Sequence, residues 1–237
     1  MTSLTLRDGI KAAFPIAIGY IPIAITFGVV ARSAGIPDSI TMLLSFLVFA
    51  GASQFIAVNL ISLGSFFGEI VLTTFMLNLR HLLMSASLSQ RLEGDTPRSF
   101  LPFIAFGLTD ESFSVATLRK EAYLTPIFLL GLNFTAYIAW VGGTWLGLLL
   151  ASGLPVTLQA SMGIALYAMF IGLIVPALKT SRPFVLVFLL AAATHILLTW
   201  LPFFAPLSVG WSLLLSALVA AFVGAMIDQK EGAPSSE

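Results

Sequence analysis

The feature that most constrains this chain is where its charges are missing. No Asp, Glu, Lys or Arg falls between Asp38 and Glu69, between Glu121 and Lys179, or between Arg182 and Asp228. Each gap can hold at least one run of about 20 apolar residues, the length that crosses a bilayer core as a helix. Only 9% of the 237 residues are charged and 58% are hydrophobic, with a mean hydropathy of +1.02. Soluble domains carry roughly 25% charged residues. The expected fold is all-α: a polytopic integral membrane protein of about seven or eight hydrophobic segments in the lipid bilayer. A β-barrel would show short alternating segments instead. Residues 1–237 are expected to form a single transmembrane domain, with a short cytoplasmic tail at 228–237.

Eight segments can be drawn, at 12–31, 40–63, 66–88, 101–117, 124–150, 157–178, 184–200 and 207–227. Arg7 and Lys11 ahead of the first could mimic a signal peptide. Its apolar run is longer than the about 7–15 residues of a usual signal core, so a retained span is expected. Pro15, Gly19 and Pro22 should kink or partly unwind it. If all eight segments span, the cytoplasm receives Arg7, Lys11, Arg119, Lys120, Lys179, Arg182 and Lys230, and the outside Arg32, Arg91 and Arg98. If segments 2 and 4 instead enter and leave on one face, Arg91 and Arg98 turn cytoplasmic and Arg32 alone stays outside. That fits the cytoplasmic bias of Lys and Arg better. Segments 2 and 4 are therefore expected to be broken or re-entrant. Both termini are cytoplasmic in either case.

A faint internal repeat agrees with this. Segment 2 holds FAGASQF and segment 4 holds FGLTDESF, aligning Gly51, Ser53 and Gln54 with Gly107, Thr109 and Asp110. The next segments carry Asn78 and Asn133, 27 and 26 residues after the respective glycines. With segments 2 and 4 re-entrant, segments 3 and 5 run in opposite directions, which is the inverted repeat of many transporters.

The acid pair Asp110–Glu111 sits in an apolar run. Two ionised acids at a helix centre cost about 5–7 kcal/mol, against about 2–4 kcal/mol returned by the seven large aliphatic and Phe residues of segment 4. The segment must pack against polar partners, be partly wet, or hold a protonated carboxyl. Segment 3 offers Arg80, which keeps its charge in lipid and needs a partner, and beside it His81. Thr74, Asn78, His81 and Ser85 share one helical face, as do Asn133, Tyr137, Trp140 and Thr144 in segment 5. Glu69, near a segment start, is expected at the interface. Gly142, Gly143 and Gly147 should allow close helix contact.

Several classes are excluded. Net charge is zero, which argues against a nucleic-acid partner. There is no cysteine, and His81 and His195 lack metal-ligand spacing, so no metal site or cofactor is expected. Ser53, His81 and Asp110 could make a hydrolytic set, but no G-x-S-x-G elbow accompanies them, and the chain is not expected to be an enzyme.

GASQF, NLRH and TDESF, in that order, resemble the AzlC-type large subunits of branched-chain amino acid exporters. The resemblance runs from FPIAIGYIPIAITFG to the last span. It implies export of neutral aliphatic amino acids such as valine, leucine and isoleucine across a bacterial cytoplasmic (inner) membrane, driven by the proton gradient. It also implies a small AzlD-type membrane subunit of about four spans. The residues suit that role: Asp110 or Glu111 could meet a substrate ammonium, and Arg80 or backbone N–H groups of a broken segment 2 its carboxylate. His81, Asp110 or Glu111 could carry the proton. Gly51, Ser53, Gln54, Asn78, Thr109 and Asn133 complete the candidate set. Asp110 is expected to be the working acid, because its repeat counterpart Gln54 is also a polar residue after a hydroxyl, and Glu111 to support structure. The alternative is a non-transporting structural or channel-type subunit, in which the polar seams only hold helices together.

Overall fold

The computed structural model describes residues 4–94, 96–155, 182–201 and 209–231, together with single positions between 157 and 207. Segment 6 lies outside the described residues. The helices are α1 (Leu6–Ser33), α2 (Asp38–Leu47), α3 (Gly51–Ser62), α4 (Phe67–Ser89), α5 (Leu101–Phe106), α6 (Asp110–Thr117), α7 (Pro126–Ala151), α8 (Arg182–Trp200) and α9 (Val209–Glu231). A 3-10 turn at Arg98–Phe100 precedes α5. No strand occurs among the described residues. Among the described residues four helices, α1, α4, α7 and α8, are long and apolar enough to cross a membrane. The chain is an all-α polytopic membrane protein. It forms two compact units, one of Met1–Asn59 with Leu77–Leu166 and one of Leu60–Met76 with Tyr167–Glu237.

The first unit is built on α1 and α7. Thr5 and Asp8 form a reciprocal capping box at the start of α1, and Thr125 with Pro126 at the first helical position starts α7. Although Pro15 and Pro22 lie inside it, α1 is helical throughout, so the partial unwinding offered as one outcome there does not occur. The two helices pack in parallel. Thr125 Oγ1 donates to Leu4 O at one end and an Arg32 guanidinium N–H to Leu148 O, both spans traversed, at the other. Their backbones nearly touch at glycines: a side chain at Gly9 would meet Phe128 O, and one at Gly147 would meet Ile25 O. Gly143 likewise abuts Ala24, whereas Gly142 has nothing near it. Small residues are what let membrane helices approach this closely.

Segments 2 and 4 are each broken into two half-helices that fold back as hairpins. The outer hairpin, α2 and α3, starts beside Arg32, which pairs with Asp38 at 3.6 Å. After α2 the chain turns at Phe49, whose φ of 45° is rare outside glycine. It then returns so that Gln54 Nε2 donates to Ser45 Oγ at 3.1 Å and Phe55 packs on Phe27. The inner hairpin, α5 and α6, is closed at its base by Arg91, which follows α4. Its guanidinium donates to the carbonyls of Ala116 (3.2 Å), Thr117 (2.8 Å) and Arg119 (2.9 Å), supplying donors to a helix C-terminus that lacks them. Leu124 N donates to Arg91 O at 2.7 Å, within an isolated bridge between Leu92 and Leu124. The chain before α5 and the chain after α6 thus meet at the end where α1 and α7 begin. Segment 4 leaves where it entered. The part of α4 in this unit runs towards that end and α7 away from it, the opposed directions an inverted repeat requires.

In the second unit, Glu69 is packed inside the protein, only 4% exposed. Its carboxylate accepts the Gly210 N–H at 2.6 Å in the first turn of α9. A helix N-terminus offers unpaired donors and positive potential, which is why an acid is tolerated there away from water.

Single cysteines can be placed anywhere in this cysteine-free chain. Cysteines at Ser89 and Ala122 should react with an impermeant maleimide from the same face of the membrane, and one at Ser39 from the opposite face. Opposite behaviour of positions 89 and 122 would require segment 4 to span.

Candidate functional site

The two hairpin tips meet against the middle of α7. Phe49 at the outer tip and Phe106 at the inner tip have ring centroids 6.3 Å apart, and both pack on Tyr137, at 5.1 and 5.8 Å. The stripe of segment 5 is the seat for both. Tyr137 Oη donates to Phe46 O in the last turn of α2 at 3.0 Å, and Asn133 Nδ2 donates to Ile104 O in the last turn of α5 at 3.0 Å. Each half-helix that stops inside the membrane thereby has a terminal carbonyl satisfied by α7. Gly51 and Gly107, the aligned glycines, lie where their hairpins cross this stripe. A Cβ at Gly51 would meet the Trp140 ring at 2.7 Å, and one at Gly107 would meet Asn133 Cβ at 2.7 Å. Thr144 Oγ1 joins the outer hairpin through Ser45 at 2.8 Å.

The start of each returning half-helix is capped from within. Gln54 Oε1 accepts the Ala50 N–H at 3.1 Å, and Ser53 Oγ donates to Ala50 O at 3.0 Å. In the inner hairpin Thr109 is the N-cap of α6 and forms a reciprocal box with Ser112: Ser112 Oγ accepts the Thr109 N–H at 2.9 Å and Thr109 Oγ1 the Ser112 N–H at 3.3 Å. Gln54 and Ser53 are both 1% exposed, so these two candidates are engaged in holding the outer break.

Asp110 and Glu111 occupy the first turn of α6, where the helix dipole favours acids. About 100° apart on the helix, they face different partners. Asp110 Oδ2 pairs with Arg80 Nη1 at 2.6 Å, the two side chains being 34% and 37% exposed. Glu111 accepts from the Tyr20 hydroxyl, which also lies 2.8 Å from Thr109 Oγ1. Tyr20, halfway along α1, is only 7% exposed, with its ring edge-on to Trp140. On α4, Arg80 Nε and Asn78 Oδ1 are buried without a hydrogen-bond partner among the described residues, and His81 Nδ1 lies 3.3 Å from Asn78 O. Asn133 Oδ1 is also unpartnered. Asn133 lines an apolar cavity of about 750 Å³ with Phe103, Phe106, Phe134 and Tyr137.

Apart from Asn78 and His81, which lie one turn apart on α4, the sequence candidates fall into three groups. Asp110, Glu111, Arg80 and Thr109 come together at the inner tip. Gly51, Ser53 and Gln54 build the outer one. Asn133 joins α7 to the inner hairpin. Tyr20 was missed: nothing in YIPIAITFG marks that hydroxyl as polar machinery, and only the three-dimensional packing of α1 on α7 brings it to the acids. Ser112 was missed too, although a hydroxyl three residues after Thr109 is the spacing of a capping box.

Paired half-helices with charged side chains at the break define a polytopic membrane protein whose polar centre is built on discontinuous helices. Comparison with known proteins gives the lineage. A family model described as AzlC protein matches residues 15–154, which contain most of α1, both hairpins and α7. An uncharacterized membrane protein of Archaeoglobus fulgidus is 42% identical over 179 residues, 75% of this chain and 78% of its own. The inner membrane protein YgaZ of Escherichia coli is 32% identical over 187 residues, 76% of each chain. The branched-chain amino acid transport protein AzlC of Bacillus subtilis is 29% identical over 162 residues, 62% of this chain and 61% of its own. The chain belongs to the AzlC family. No solved structure matches it.

Removing one member of a buried ion pair costs about 3–5 kcal/mol, because the other charge is stranded. The partial exposure here lowers that, so Arg80→Gln should lose about 1–3 kcal/mol of stability and much of its folded yield. Adding Asp110→Asn should restore yield, and adding Glu111→Gln should not. The monodisperse fraction in detergent measures both.

Proposed function

We propose that the protein is a secondary-active exporter of branched-chain or other neutral aliphatic amino acids, coupled to protons and working with a small AzlD-type membrane subunit. The observation that carries this reading is the Arg80–Asp110 pair at 2.6 Å, beside a helix break and partly accessible. A guanidinium and a carboxylate held against each other are the complement of an amino-acid zwitterion. A substrate entering there exchanges one charge-assisted contact for two: its ammonium to Asp110, its carboxylate to Arg80. Arg80 Nε, without a partner among the described residues, offers a further donor. The same chemistry does not favour a hydrolase. Neither acid touches Ser53, whose hydroxyl is committed to Ala50 O.

Orientation follows from charge. The end where α1 and α7 begin carries Arg7, Lys11, Arg91, Arg98, Arg119 and Lys120, and the far end of the first unit carries Arg32. We assign the first end to the cytoplasm of a cell bounded by a cytoplasmic (inner) membrane. The name of the Bacillus relative, a branched-chain amino acid transport protein, agrees with the substrate class.

Counterflow of radiolabelled valine in proteoliposomes, with and without the small subunit, tests the reading. The parent should exchange valine, and accumulation driven by a proton gradient should collapse with an uncoupler. Asp110→Asn removes a charged contact worth about 1.5–3 kcal/mol and should raise the half-saturating valine concentration at least ~10-fold. Parent proteoliposomes without counterflow in either condition would favour a non-transporting subunit.

A further inference from the structure

A phenol has one proton to donate, yet the Tyr20 hydroxyl is within hydrogen-bond reach of two acceptors, the Glu111 carboxylate and Thr109 Oγ1. The donors along Glu111, Tyr20, Thr109 and Ser112 must therefore be settled together. With Glu111 ionised, the phenol proton goes to Glu111 Oε2 and the Thr109 hydroxyl is free to donate to Tyr20. With Glu111 protonated, the carboxyl O–H donates to Tyr20 Oη and the phenol proton turns to Thr109 Oγ1. The Thr109 proton then turns to Ser112 Oγ, 3.4 Å away, whose own proton faces Thr109 O at 3.3 Å. One proton arrives at Glu111, and each hydroxyl keeps the proton it had. The far end of this chain is the capping box that starts α6.

We propose that Tyr20 is a positioning residue that couples proton occupancy of Glu111 to the capping box at the inner hairpin tip. This rests on the transport reading above and supplies its coupling step. It gives Glu111 a working part rather than the supporting one expected from spacing, and it leaves Asp110 free for substrate. The charged and titratable groups around Glu111 are Tyr20 from α1, Asp110 beside it on α6, and Arg80 with His81 from α4. On α7 the titratable residue is Tyr137, while Asn133 and Trp140 do not titrate. α3 and α5 carry no charged residue, and α2 carries only Asp38 at its far end. A merely structural Tyr20 would act through its ring, which packs on Trp140 with centroids 5.4 Å apart. Tyr20→Phe keeps that ring.

The test is infrared difference spectroscopy of the reconstituted full chain between acidic and alkaline buffer. Beyond the absorption of the other acids, common to parent and variants, the parent should show a protonated-carboxyl band that is lost in Glu111→Gln. In Tyr20→Phe the band should persist at a shifted frequency. Gradient-driven valine accumulation by Tyr20→Phe should fall ~10-fold, the scale of one hydrogen bond to a charged group. A parent without the band, a band surviving in Glu111→Gln, or an unmoved band in Tyr20→Phe would each overturn the proposal. If Tyr20→Phe does not fold, Thr109→Val must move the same band and Thr109→Ser must not, and any other result counts against the relay. Loss of the transport reading would be recognised separately, by absence of valine counterflow in the parent.

Discussion

A helix that ends inside a bilayer leaves carbonyls with no water to accept from, and each such group costs several kcal/mol if it stays unpaired. The first unit depends on how α7 meets that need. Asn133 and Tyr137, one helical turn apart, donate to the last turns of α5 and α2. Two residues of a single stripe therefore license two breaks, one in a hairpin from each side of the membrane. The donors of the returning halves are served locally, by Gln54 in one hairpin and Ser112 in the other. With the backbone satisfied, the tip of α6 can present two acids where an intact helix could not hold them.

That arrangement needs a firm base. The parallel α1–α7 pair provides it through glycine contacts that leave no space for a side chain at Gly9 or Gly147, and through Arg32 and Thr125 at its two ends. Against this frame the inner tip is held by polar contacts alone on its acid face: Arg80 from α4 to Asp110, and Tyr20 from α1 to Glu111. Ion pairs and hydrogen bonds of this kind can be exchanged for contacts with a ligand or a proton, whereas packed glycine seams cannot. The backbone at Phe49, with φ of 45°, adds strain of about 1–3 kcal/mol at the opposite tip. Such strain persists only where the surroundings enforce it, here through the rings of Tyr137 and Phe106.

Much of this was legible in the sequence. The charge-free stretches marked the segments, because bilayer thickness fixes their length. The Lys and Arg count, which improved when segments 2 and 4 were folded back, pointed to the hairpins because membranes sort charge by side. The 4, 3, 4 spacing of Asn133, Tyr137, Trp140 and Thr144 identified a working face of α7. Its use, capping other helices, is a tertiary fact that spacing does not encode. Arg91 looked like an ordinary loop charge, since its carbonyl partners lie 25 to 28 residues away. Pro15 and Pro22 suggested a kinked or partly unwound first helix, and α1 stays helical through both. The burial of Glu69 was not legible, because its partner, the start of α9, is 141 residues distant.

The central claim is that the two hairpins, entering from opposite faces, touch at Phe49 and Phe106. Cysteines at these two positions in the cysteine-free chain, with a protease site placed in the 93–97 loop, test it directly. After treatment with a short thiol–thiol cross-linker in native membranes and then protease, the two fragments should remain joined under denaturing conditions, and each single-cysteine control should fall apart. Efficient cleavage into separate fragments from the double-cysteine protein, with both thiols still reactive, would contradict the account.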